Sequence, residues 1–141
     1  MNKIAIFIIL ISSLMVGCND NNDIVCIDDI CLTVEIADTQ EKQMVGLMDR
    51  DQLDTNKGML FVFDSSDRYT FWMKNTLIPL DIIWIDENKE IVHIEENVQP
   101  CKVDPCQTYN HEVDAKYVLE TNSGFVKENN VSKGQKLTIT K

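Results

Sequence analysis

Five side chains able to do chemistry crowd one short stretch: Trp72, Lys74, Asn75, Thr76 and Asp81, set among Phe71, Met73, Leu77, Ile78, Pro79 and Leu80. Polar groups cost free energy when buried unless they are paired. These side chains therefore either form a satisfied internal network or line a site. On an extended strand alternate side chains face opposite ways. That puts Thr70, Trp72 and Lys74 on one side and Tyr69, Phe71 and Met73 on the other. An indole beside an ammonium and an amide suits a small polar or anionic ligand such as a glycan, the ring supplying contact area and the polar tips orientation. The architectural alternative places Trp72 in the core and pairs Lys74 with Asp81 or a nearby acid. Asp81 heads an apolar row with Ile83 and Ile85 and needs a partner. Arg50, with its bidentate fork, is chemically the better one. The candidate binding residues are Arg50, Trp72, Lys74, Asn75 and Asp81.

Other chemistries find less support. The chain has no Gly-x-Ser-x-Gly elbow, no zinc-protease helix motif and no EF-hand loop. No catalytic residue, cofactor or metal ion is expected, and the reading is of a non-catalytic binding or accessory domain. The enzymatic alternative is a hydrolase of envelope material, with Asp81 and Lys74 or His111 as acid and base. A copper-handling alternative rests on Met44, Met48, Met59 and Met73, whose thioethers suit Cu(I). Methionine is also an ordinary core filler. No Met-x-Met or His-Met cluster is present, so these four are expected to pack. His93 reads as a packed strand residue and His111 as an exposed loop residue.

Apart from Cys18, the cysteines form two local pairs, Cys26/Cys31 and Cys101/Cys106. An even count in an exported chain implies disulfides. Cys26 to Cys31 reads as a hairpin around an Asp28-Asp29 turn, with the cysteines as a non-hydrogen-bonded pair about 4.5 Å apart at Cα. Cys101 and Cys106 close a short loop between strands. Four-residue spacers are wide for a structural zinc site of four thiolates. Pairing between the two segments stays open at this level.

The elements that must position these residues are short. Leu32 to Ile36 alternates as a half-buried strand. Asp38 and Glu41 resemble a capping box for a short helix that Gly46 stops. Met59 to Phe63, apolar on both sides, reads as a central strand. Strands are expected at Tyr69–Lys74, Leu80–Ile85, Glu90–Glu96, Lys116–Thr121 and Gln135–Thr140, with a long loop from Asn97 to Val113. The pattern predicts a mostly β fold: a single jelly-roll-like β-sandwich or barrel of about eight short strands with one short helix.

Several words of the sequence carry a family resemblance: Val34 to Thr39, Gly46 to Arg50, Gly58 to Phe61, Phe71 to Thr76, Pro79-Leu80-Asp81, Tyr117 to Glu120, Gly124 and Gly134. Their order and spacing resemble the domain of unknown function 192 family across nearly all of residues 24–141. The resemblance implies a mostly β, jelly-roll-like domain, often exported or lipid-anchored, with no established activity.

The N-terminus reads as a targeting segment. Lys3 precedes an apolar run, Ile4 to Val16, of signal-peptide length and too short to span a bilayer. Leu14-Met15-Val16-Gly17-Cys18 looks like a lipobox, which implies cleavage after residue 17 and lipid on Cys18. The domain plan is thus a lipoprotein signal at 1–17, a polar tether at 18–23 and one β domain at 24–141. The expected location is outside the cytoplasm, held at the membrane through lipid. The formal net charge of −10 argues against nucleic acid as a partner, since phosphate backbones repel an acidic surface.

Overall fold

The structure is a computed structural model that describes residues 23–140. Cys18, the expected lipobox and most of the expected polar tether lie outside the described residues. The element order is β1 (Asp23–Ile27), β2 (Ile30–Ala37), α1 (Gln40–Val45), β3 (Lys57–Asp67), β4 (Phe71–Trp72), β5 (Leu80–Ile85), β6 (Ile91–Val98), β7 (Thr108–Tyr109), β8 (Ala115–Asn122), α2 (Phe125–Glu128) and β9 (Leu137–Thr140). The mostly β class expected from the sequence holds, with nine strands and a second short helix among the described residues, in a curled half-barrel.

Seven strands form one sheet in the order β6-β5-β8-β3-β2-β1-β9, and β4 pairs with β7 in a separate ribbon. All sheet pairs are antiparallel except β2 and β3. That parallel step needs a crossover, and α1 lies within it. The sheet curls until its edge strands meet at one end. There Glu90 bridges Lys136, and Leu137 N–H donates to Lys89 O at 2.8 Å. Each face carries its own core. Leu60, Ile83, Ile85 and Leu119 pack with Phe125 and Val126 of α2 on one face. Phe61, Ile82, Trp84 and Val118 pack with Leu47 and Met73 on the other.

Both local disulfides are present. Cys26 faces Cys31 with Ile27 opposite Ile30, as the hairpin register requires, at a Cα separation of 4.0 Å. Cys101 and Cys106 are 5.6 Å apart at Cα. Asp28 takes a left-handed φ of 51° to make the two-residue turn.

Three expectations need correction. The helix cap is Thr39, whose hydroxyl accepts from Lys42 N–H, not Asp38. The Asp38 carboxylate instead accepts from Lys42 Nζ at 2.8 Å. The strand expected at Tyr69–Lys74 shrinks to Phe71–Trp72. On one side Tyr69 stacks on Phe63 and its hydroxyl donates to Ser65 O, which holds a turn. On the other, Asn75 at a φ of 55° ends the extended run.

The third correction concerns Asp81, which pairs with neither Arg50 nor Lys74. Strand alternation puts it with Ile83 on the α2 face, whereas Arg50 borders Met59 on the opposite face. Asp81 is fully buried. Oδ1 accepts the Asn97 N–H at 2.8 Å, and Oδ2 accepts those of Gly124 at 3.1 Å and Val126 at 2.9 Å. One carboxylate thus ties the end of β6 to the start of α2 and satisfies donors that would otherwise be orphaned. Asp81→Ala would leave these donors unpaired in a dry site and should cost about 3 kcal/mol or more. Denaturant unfolding checks this; a loss below about 1 kcal/mol would show that the network does not hold the fold together.

Candidate functional site

Local folding brings together most of the residues singled out above. Phe71 and Met73 turn inward. Phe71 packs edge-on against Phe61 and Trp84, with centroids at 5.0 and 5.7 Å, and Met73 is fully buried. The alternation that buries them turns Trp72 outward, where it stays 47% exposed. The alternative of Trp72 as a core residue is therefore not what the fold adopts. Lys74 Nζ lies 5.5 Å from the Trp72 ring centroid, within cation–π range. It also lies 3.9 Å from Asp104 of the Cys101–Cys106 loop. That loop hangs on the same segment, because Met73 O accepts from both Cys101 N–H and Thr76 N–H.

The second wall of the site is α1. Gln43 Nε2 donates to Ala37 O at 3.2 Å and Val62 O at 2.9 Å, pinning the helix across β2 and β3. Gly46 closes it, with its N–H on Lys42 O. Its φ of 50° favours glycine, and a Cβ there would sit 3.2 Å from Phe61 Cζ. The two walls join where Asp49 N–H donates to Asn75 O at 2.8 Å. Between them lies a cavity of about 30 Å³, bordered by Met44, Met48, Phe71, Trp72 and Thr76, with Glu120 at its floor.

Glu120 is the residue that sequence reasoning missed. It sits on β8 opposite Met59 and Ile82, and its Oε2 is buried with no hydrogen-bond partner among the described residues. Burial raises its pKa from 4.5 to about 8, against the pull of the Arg50 cation. At neutral pH the floor of the cavity is thus a carboxylic acid, able to donate one hydrogen bond upward.

Arg50 stands nearby but is engaged in a two-bond pair with Glu35, the second bond at 2.8 Å. The guanidinium holds the Glu35 carboxyl below its usual range, and Glu35 in turn raises Arg50. The methionines divide. Met59 and Met73 are core, as expected, whereas Met44 is 68% exposed on α1 and Met48 is half-buried, contrary to the expectation that all four pack. Trp72 thus borders the cavity above Glu120, Lys74 contacts the Trp72 ring, the Asn75 carbonyl joins the two walls, Arg50 acts on Glu120 through its field, and Asp81 stands apart on the other face.

The raised pKa of Glu120 has a sign that can be tested. Its contribution to stability is fullest below pH 4.5, where folded and unfolded chains are both protonated, and falls as pH rises toward 8. The slope is up to about 1.4 kcal/mol per pH unit. Glu120→Gln should remove that slope and stabilise the protein at pH 8. Unfolding free energies of parent and variant between about pH 5 and pH 8 measure the difference; parallel curves would mean that Glu120 ionises freely.

Comparison with known proteins agrees with the fold. None of the curated proteins matches the chain. A crystal structure from Sinorhizobium meliloti 1021, provisionally described as a transcription regulator, is similar at 34% identity and a TM-score of 0.76, covering 84% of this chain and 92% of that one. A protein of unknown function from Novosphingobium aromaticivorans DSM 12444 is similar at 30% identity and a TM-score of 0.74, covering 83% of each chain. The DUF192 family, described as an uncharacterized ACR, matches residues 24–139. With a family match spanning nearly the whole β domain and an aligned fold to go with it, this chain belongs to the DUF192 family.

Proposed function

We propose that the chain is a lipoprotein anchored outside the cytoplasm through Cys18, and that its β domain is a non-catalytic binding module for a small polar ligand such as a glycan. The observation that carries the reading is the solvent-facing Trp72 over a cavity floored by the neutral Glu120 acid. A cavity of about 30 Å³ admits one group the size of a water molecule. A ligand would lay an apolar face on Trp72 and Met44 and insert a single hydroxyl or amide toward Glu120. Lys74 and Asn75 would contact its outer polar groups. Both Asp81 oxygens are taken up by backbone N–H groups, which removes the acid that the hydrolase alternative needs. The transcription-regulator description of the Sinorhizobium protein is not carried over, since a net charge of −10 opposes DNA binding.

Two experiments test this proposal. A thermal-shift screen of glycans and small polar compounds should find a ligand that raises the Tm of the parent and leaves a folded Trp72→Ala variant unmoved. Equal shifts in parent and variant would place binding elsewhere, and turnover of the ligand would make the protein an enzyme. Replacing Cys18 with Ser and fractionating cells should move the protein out of the membrane fraction; unchanged membrane association would refute the anchor.

A further inference from the structure

The chain has two histidines in all, and the fold stacks them on one another. Their ring centroids are 3.4 Å apart, with planes tilted by 24°. His93 lies on β6 opposite Trp84, and Glu95 lies two residues on, opposite Ile82, so both project to the same face. His111 follows β7 and is carried over β6 by the β4–β7 ribbon. The indole of Trp84 meets both imidazoles edge-on, at 5.6 and 5.0 Å. Trp84 is itself fixed by donating to Tyr69 O at 3.2 Å. The expected exposed loop histidine is therefore mostly buried against an aromatic floor.

We propose that His93, Glu95 and His111 form a binding site for a divalent transition-metal ion, zinc being the best fit. Both imidazole Nε2 atoms converge on one oxygen, Glu95 Oε1, at 3.2 Å for His93 and 3.3 Å for His111. Zinc bonds of about 2.0–2.1 Å at a tetrahedral angle place neighbouring ligand atoms about 3.3–3.4 Å apart, so these two separations match two edges of a zinc tetrahedron. One ligand atom from each residue lies within 4.8 Å of the others.

Ion pairing alone explains the cluster poorly. Only His93 reaches Glu95 with hydrogen-bond geometry; His111 Nε2 is buried and makes no hydrogen bond among the described residues. The three side chains are 21–33% exposed, which leaves an opening for a fourth ligand. Two imidazoles and one carboxylate are a donor set suited to zinc with such an open position. The acidic chain would draw cations toward it.

The mature protein, without an affinity tag and with its disulfides oxidised, is stripped with a chelator and titrated with Zn²⁺ by calorimetry. One ion per chain is expected. Glu95→Gln and His111→Ala should each weaken binding at least about tenfold. Asp104→Asn, in the disulfide loop, should leave it unchanged. Circular dichroism establishes which variants fold. Should neither Glu95→Gln nor His111→Ala fold, X-ray absorption at the zinc edge of the loaded parent decides. Because the chain has two histidines, a shell of two imidazoles assigns both. No binding by the folded parent, undiminished binding in a folded Glu95→Gln or His111→Ala variant, or a zinc shell without two imidazoles would overturn the proposal.

Discussion

Pairing of β3 with β8 sets Leu60 opposite Leu119 and Phe61 opposite Val118, and both faces of that pair are covered. A slip of one residue would send Phe61 and Val118 to the α2 face and turn Glu120 with them. The register is therefore fixed by two cores at once, and the position of Glu120 follows from it. The same register sets β5 against the other side of β8, with Ile82 opposite Glu120, so the acid is enclosed by strands on both flanks. α1 and the Trp72 segment then need only close over a floor already laid down.

The Trp72 segment works by the same logic on a smaller scale. Phe71 and Met73 are held by packing, so the intervening Trp72 is presented by a backbone with little freedom to withdraw it. A rigid aromatic surface loses little entropy when a partner settles on it. The aromatic cluster beneath runs from Phe61 through Phe71 to Trp84 and on to the two histidines. Edge-to-face contacts of this kind add about 0.5–1.5 kcal/mol each beyond burial. The cluster joins the floor of the Trp72 cavity to the histidine pair through one set of rings.

Much of this arrangement was legible in the residues. Period-two alternation assigned Trp72 and Met73 to opposite sides, and hairpin register predicted which cysteines meet. Gly46 as a helix stop followed from its conformational freedom. What could not be read came from the third dimension. Glu120 lies in a stretch that looks like any half-exposed strand, and only its place between β3 and β5 buries it. Asp81 is equally polar in sequence, yet its partners are backbone N–H groups of Asn97, Gly124 and Val126, which no side-chain code announces. His93 and His111 belong to separate elements, and only the path of the ribbon brings them into contact. The helix cap moved by one residue because Lys42 takes up the Asp38 carboxylate and leaves the first turn to Thr39.

The position of β1 has a mechanical consequence. It lies between β2 and β9, antiparallel to both, and it is the first described element of the chain. A pull applied at the N-terminus would load β1 along its length, so that its hydrogen bonds to both neighbours share the force in shear. The Cys26–Cys31 bond then passes the load covalently to β2, and the Asp28–Asp29 turn is bypassed. Reduction would reroute the same force through that turn and make the hairpin the weakest link in the path of the load.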